Sequence, residues 1–256
     1  MGNDADGSDS IKSDRRLLEI LEALAEHGPI GVTALAEDLN VPKSTAYAHL
    51  RTLEREEYVV KEGTLYSLGV RFLEIGLSVR DRWPKSESIR TKVDELAEVT
   101  GERAQFIVEE HCRGVYVHRA IGENAVETDS GVGERVPLNS ISAGKSILAF
   151  TSDRRREEVF ETVGLPSRTD ETITDRNELE AELERIRERG FARNDGESTE
   201  GLRSIGVPIR DASERVIGAI SVSGPSHRLT GDRFERTIPN RILGAVNEIE
   251  LNIRFP

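Results

Sequence analysis

Cysteine is almost missing from this chain: Cys112 is the only one in 256 residues, so no intrachain disulfide can form. Long apolar runs are missing too, and nothing approaches the ~20 residues of a membrane span. The first ten residues are rich in Gly, Asp and Ser and lack both the basic and the apolar region of a signal peptide. Residues 1–10 therefore read as a disordered lead-in, and the chain reads as cytoplasmic. Aromatic residues make up 5%, and lysine is scarce, with six (Lys12, Lys43, Lys61, Lys85, Lys92, Lys145) among 35 basic residues. Acidic residues number 47, for a net charge of −12. An acid-rich, lysine-poor surface stays hydrated when salt competes for water, which points to a high-salt milieu and a halophilic source. What is present suits a folded chain, with 36% hydrophobic and 32% charged residues. At roughly 100–200 residues per domain, two unequal domains are expected.

Helical periodicity begins at Ser13, an expected N-cap, with Leu17, Leu21 and Leu24 on one face and Leu18 and Ala25 beside them. Gly28-Pro29 stops that helix. A second helix is expected over residues 33–39, with Leu35, Ala36 and Leu39 inward and Asn40 in a left-handed turn. A third starts near Pro42, as its first helical residue, and runs to about Glu57. Ala46, Leu50 and Leu53 fall on one of its faces; Lys43, Ser44, Tyr47 and Arg51 fall on the other. Tyr58–Val60 and Leu65–Leu68 flank a turn at Glu62-Gly63 and read as a hairpin. Three short helices and a hairpin make residues 11–69 a winged helix-turn-helix. Residues 70–84 read as a linker helix with Val70, Leu73 and Leu77 on one face, ended by Trp83-Pro84.

Residues 85–256 mix helices and strands. Ile89, Val93, Leu96 and Ala97 mark a helix closed by Gly101. Strands are expected at 104–108, 115–120, 203–208 and 216–223. Helices are expected from Ser142, over 153–163, from Thr174 to Gly190, and over 232–253. Strands in hairpin order interleaved with helices give an α+β domain rather than a doubly wound sheet.

In a helix-turn-helix, the second helix of the pair enters the major groove and its first residues reach base edges. Lys43, Ser44, Thr45 and Tyr47 are the candidates for base contact, with Arg51 and Lys61 for phosphates. Residues 11–70 hold seven Lys/Arg against ten Asp/Glu. Phosphate neutralisation is correspondingly weak, and in molar salt, with a Debye length of about 3 Å, it counts for little. Binding then rests on base contacts and shape.

Lys43-Ser44-Thr45-Ala46-Tyr47, with Leu50 and Leu53, resembles the recognition helix of the IclR family. Three further blocks, in order, resemble the same family. The first is Val136-Pro137-Leu138 followed by residues 142–149. The second is Gly190-Phe191-Ala192 with Asn194-Asp195 and Glu197, continued by Gly201-Leu202-Arg203-Ser204 and Val207-Pro208. The third is residues 219–225 with Arg228. The resemblance implies a GAF-like effector-binding domain and a transcription regulator rather than an enzyme. It also implies a homodimer or tetramer and effectors that are small carboxylates or aromatic acids. It places Ala143, Gly144, Asn194, Asp195, Ser204, Ser221 and Ser223 around the effector. A helix starting at Ser142 offers free N–H groups to an anion, and Gly144 is expected to let the ligand approach the backbone. The chain departs from the family in carrying Ala48 where a basic residue is common. It also carries Ser204 where Cys is common, which suits a more polar effector such as a sugar acid. A dimer of such domains implies double-stranded DNA with a palindromic operator as the partner.

Other patterns carry no chemistry. Gly144-Lys145-Ser146 resembles the end of a P-loop, but position 139 is Asn where that motif needs Gly. Gly131-Val132-Gly133 lacks the third glycine of a dinucleotide motif. Cys112, with His111 and His118, fits no standard zinc spacing, and Arg113-Gly114 reads as a turn between strands. No cofactor or metal is expected.

Overall fold

A computed structural model describes residues 11–126 and 131–255. The expected lead-in over residues 1–10 lies outside them. The described residues form two compact units, divided between Val79 and Arg80.

The first unit runs α1 (Lys12–His27), β1 (Ile30–Gly31), α2 (Val32–Asp38), α3 (Lys43–Arg55), β2 (Val59–Glu62), β3 (Leu65–Leu68) and α4 (Arg71–Arg80). Its core gathers Ile20, Leu24, Leu35, Leu50, Leu53 and Tyr66. On α3, Ala46, Leu50 and Leu53 recur at helical spacing and all are buried, and each leucine contributes roughly 1.5–3 kcal/mol of transfer free energy. On α1 the buried seam is Ile20, Ala23 and Leu24, flanked by the half-buried Leu17 and Leu21. Leu18 and Ala25, expected beside that seam, are exposed. Ser13 lies inside α1 rather than capping it; Ile11 holds the cap position without a side-chain bond. Pro42 is likewise the residue before α3, in extended backbone, and not its first helical residue.

The wing turns at Gly63-Thr64, one residue later than expected, with Gly63 at φ 63°, where a side chain would be strained. β1 pairs with β3, giving the order β1-β3-β2. Two residues hold no periodicity, so this strand leaves no trace in the sequence. α4 ends at Arg80, short of Trp83-Pro84, and buries none of its residues. Val70, just before it, is 82% exposed; Leu73 and Leu77 are 66% and 45% exposed.

The second unit runs α5 (Ser86–Thr100), β4 (Arg103–Glu110), β5 (Arg113–Ile121), β6 (Arg135–Val136), α6 (Ser142–Phe150), α7 (Asp153–Thr162), α8 (Arg176–Arg189), β7 (Ala192–Asp195), β8 (Leu202–Arg210), β9 (Val216–Pro225) and α9 (Ile238–Arg254). A 3-10 turn at Leu138–Ser140 leads into α6, and a π-turn at Arg233–Thr237 leads into α9. The sheet is antiparallel in the order β6-β5-β4-β9-β8-β7.

Strand residues point alternately to the two faces. Ala104, Phe106 and Val108 of β4, with Ile220 and Val222 of β9, pack on one core with α5 and α9. Ile107 and Ala219 face a second core with α6, α7 and α8. The result is a GAF-like α+β domain with helices on both faces of one sheet. Gly101 and Gly190 end α5 and α8 in left-handed conformations, as their positions in the sequence predict. Asp175 caps α8 by accepting the Glu178 N–H at 2.9 Å.

The turn between β4 and β5 is His111-Cys112, both at positive φ, so Arg113 and Gly114 belong to β5 and not to the turn. A side chain at Gly114 would crowd Ile141, at 3.2 Å, and Ile107 and Val136, both at 3.4 Å.

Candidate DNA interface and ligand cavity

The face of α3 opposite its leucines carries Lys43, Ser44, Tyr47 and Arg51, all exposed, with Thr45 half-buried. Lys43 and Ser44 open the helix, and Tyr47 follows one turn later. Small side chains at the opening leave room for a base edge, and the long ones beside it reach backbone. The exposed Lys61 lies on β2, opposite Tyr66, with its ammonium 5.4 Å from that ring's centre. Thus all six residues picked from the sequence lie on one unit, five on α3 and one on the wing. Arg71 belongs to the brace behind the wing: its guanidinium stacks 4.8 Å from the Tyr58 ring centre and donates to the Glu56 carbonyl.

In the second unit a cavity of about 60 Å³ opens on the α6 side of the sheet. At roughly 10–15 Å³ per water-sized sphere, that is room for about five such spheres, the scale of a small organic acid. Ser204, Ser221 and Ser223 line it. Ser142, at the start of α6, lines it too and lies 2.8 Å, oxygen to oxygen, from Ser204. Ser198 and Thr199 complete a wall of hydroxyls, and Arg103, Gln105, Tyr116, Glu134, Arg168 and Arg203 bring the remaining polarity.

Four of the seven residues placed by resemblance do not line this cavity. Ala143 is buried against β8, where a side chain on Gly206 would come within 2.5 Å of its nitrogen. A side chain on Gly144 would land 2.2 Å from the Leu138 carbonyl oxygen, so this glycine serves the packing of α6 on the 3-10 turn and not ligand approach. Asn194 is buried and donates to the Ser140 carbonyl at 2.6 Å. Asp195 is exposed and accepts both ends of the Arg203 guanidinium, at 2.7 and 2.8 Å. This pairing raises the Arg203 pKa, mainly through the hydrogen bond from Arg203 to Asp195.

The sequence reading missed Arg103 and Gln105. Their signal was legible: they are polar at alternate positions of a strand whose intervening residues are Ala104, Phe106 and Val108. Arg168 was also missed, and no local pattern marks it, because it sits in the irregular stretch between α7 and α8. Among the described residues, Arg168 makes no ion pair.

Lys145, the residue that suggested a P-loop, is buried and bound to Glu197, so it offers nothing to a phosphate. Cys112 is buried, and its thiol is directed at the Glu158 carbonyl at 3.9 Å. His118 pairs with Asp94 at 2.8 Å. Among the described residues, no three His, Cys, Asp or Glu side chains converge to hold a metal ion, and no helix is long and apolar enough to cross a membrane.

A winged helix-turn-helix with an open recognition face, joined in one chain to an α+β domain with a small polar cavity, is the architecture of a DNA-binding regulator with a ligand-binding domain. The family description "Bacterial transcriptional regulator IclR C-terminal" matches residues 82–250, and "IclR helix-turn-helix domain" matches residues 15–63. The chain belongs to the IclR family of transcription regulators. It is 32% identical to the probable HTH-type transcriptional regulator ArcR of Halobacterium salinarum, over 95% of this chain and 94% of that one. It is 31% identical to the HTH-type transcriptional regulator KdgR of Escherichia coli, over 90% and 88%. The crystal structure of the Thermotoga maritima IclR protein superposes with a TM-score of 0.84 at 29% identity, over 96% of this chain and all of that one. These relatives are regulators, and the chain is a regulator rather than an enzyme.

Proposed function

We propose that this regulator's operator affinity is set by a small polar carboxylate bound in the cavity of the second unit. The observation that carries this is Arg168, a cation with no ion-pair partner among the described residues, facing a cavity walled by six serine and threonine side chains. A guanidinium binds a carboxylate through two parallel hydrogen bonds. The serines then supply partners for the acid's own hydroxyls, which an apolar or cationic ligand would leave unsatisfied. Arg103, on the floor of the cavity, adds positive potential. The size of the cavity favours acids of a few carbons.

On the DNA side, Lys43, Ser44, Thr45 and Tyr47 read bases while Arg51 and Lys61 hold phosphates. The chain acts as a homodimer or a tetramer. Two recognition helices about one helical turn apart, ~34 Å, then read a palindromic operator. Ligand and operator affinities are coupled, each altering the other by the same factor.

The test is nuclease footprinting upstream of the chain's own gene and its neighbours in near-molar potassium chloride, with and without two- to six-carbon hydroxy and keto acids. The expected result is protection of two inverted half-sites that at least one acid strengthens or weakens severalfold. Protection indifferent to every acid, with no acid raising the melting temperature of the protein, overturns the effector assignment.

A further inference from the structure

Lys145 is 1% exposed, among the most deeply buried large side chains of the molecule. Its ammonium sits 2.5 Å from both oxygens of the Glu197 carboxylate, which is itself buried. A buried ion pair adds little net stability, because desolvating two charges consumes most of their attraction. The surroundings of this pair indicate a different service.

Lys145 lies one turn past Ser142 on α6. Glu197 lies in the loop between β7 and β8, directly before Ser198 and Thr199 of the cavity wall. The Glu197 carbonyl accepts the Thr172 hydroxyl at 2.7 Å, and the neighbouring Gly196 carbonyl accepts the Thr169 hydroxyl at 2.8 Å. The Thr172 oxygen in turn accepts the backbone N–H groups of Arg168 and Thr169, each at 3.0 Å. The loop that carries Arg168 is thus stitched to the loop that carries Ser198, and the second loop is tied to α6 through one ion pair.

We infer that Lys145 and Glu197 are positioning residues: their ion pair pins the two loops that hold Ser198, Thr199 and Arg168 against the cavity, and so sets ligand affinity without touching ligand. Burial lowers the Lys145 pKa and raises that of Glu197, and each group partly restores the other, as expected of charges that solvate one another. The pinning of the loops stands on this geometry alone. Only its effect on affinity rests on the carboxylate reading above.

The test is hydrogen–deuterium exchange on the full chain, comparing wild type with the apolar double variant Lys145→Met/Glu197→Leu, which leaves no buried charge unpaired. The expected result is at least tenfold faster exchange over residues 164–174 and 196–202, with β4, β9 and α9 exchanging as in wild type. Loops as protected as in wild type, or acceleration spread equally through the sheet, overturn the assignment. Thr172→Val, isosteric and uncharged, keeps the question open to measurement if the double variant does not fold. It should free residues 164–174 while residues 196–202 stay protected, and no change in the first segment counts against the pin. Calorimetric titration with D-glycerate, a three-carbon hydroxy acid, reads the consequence. Binding to wild type that weakens about tenfold in the variants supports the link to affinity, and equal binding refutes it. If wild type binds neither glycerate nor any related acid, the carboxylate reading fails, while the exchange result still decides whether the pair pins the loops.

Discussion

Gly144→Ala separates two roles for one residue. If Gly144 served ligand approach, alanine would leave the free protein as stable as before or more so, since alanine in a helix gains about 1 kcal/mol over glycine. The structure places the added carbon 2.2 Å from the Leu138 carbonyl oxygen, 2.6 Å from its Cα and 2.8 Å from its carbonyl carbon. All three are backbone atoms, which cannot rotate away, so α6 and the 3-10 turn must part by about 1 Å. Overpacking of this kind costs about 1–3 kcal/mol, and a clash wholly with backbone belongs at the upper end or beyond. After the helix gain, a net loss of about 2 kcal/mol remains. At roughly 2–4 °C per kcal/mol for a domain of this size, the melting temperature should fall by about 4–8 °C. Gly244→Ala is the control: it lies in α9 with nothing within 4 Å of the added carbon and should raise the melting temperature slightly. The assay is thermal unfolding of both variants without ligand. A Gly144→Ala protein as stable as Gly244→Ala would refute the packing argument.

Three further outcomes are expected. Arg168→Gln should weaken binding of whichever acid protects the protein by tenfold or more, about 1.4 kcal/mol, in calorimetric titration, with unfolding little changed because the side chain is exposed. Ser44→Ala and Tyr47→Ala should relax base preference in a footprint while leaving the buried face of α3 intact; unchanged preference would move the recognition surface elsewhere. The hydrogen bond from Arg82, aided by the charge of Arg135, holds the Glu110 carboxyl below its ordinary pKa. The stability this contributes is present at neutral pH and is lost as pH falls through the lowered value. Arg82→Ala should raise the Glu110 midpoint in an NMR titration, and with both side chains partly exposed the cost at neutral pH should stay under about 1 kcal/mol.

What could be read from the chain depended on how local each signal was. Leu50 and Leu53 announce α3 because helical spacing needs only a dozen residues of context, and Gly101 and Gly190 mark helix ends by their own backbone freedom. β7 escaped because Ala-Arg-Asn-Asp holds no β-branched or aromatic residue; only pairing with β8 makes it a strand. Ser204, Ser221 and Ser223 were found by resemblance, whereas Arg103 and Gln105 sat in a strand whose polar alternation was there to be counted. Arg168 and the Lys145–Glu197 pair lay beyond reach. The partners in that pair are 52 residues apart, and nothing near either predicts the meeting. Gly144 shows the opposite failure, since a glycine at a helix start signals close approach without saying what approaches.

The alternation along β4 and β9 makes the sheet a partition. Arg103, Gln105, Ile107, Ser221 and Ser223 face the cavity, while Ala104, Phe106, Ile220 and Val222, interleaved with them, hold the opposite core. Cavity wall and scaffold are therefore written in alternate codons of the same two segments. Randomising Arg103, Gln105, Ser221 and Ser223, with Ile107 kept for the core it shares with α6 and the interleaved neighbours left fixed, would explore new ligands with both cores unaltered, and natural divergence could follow the same course.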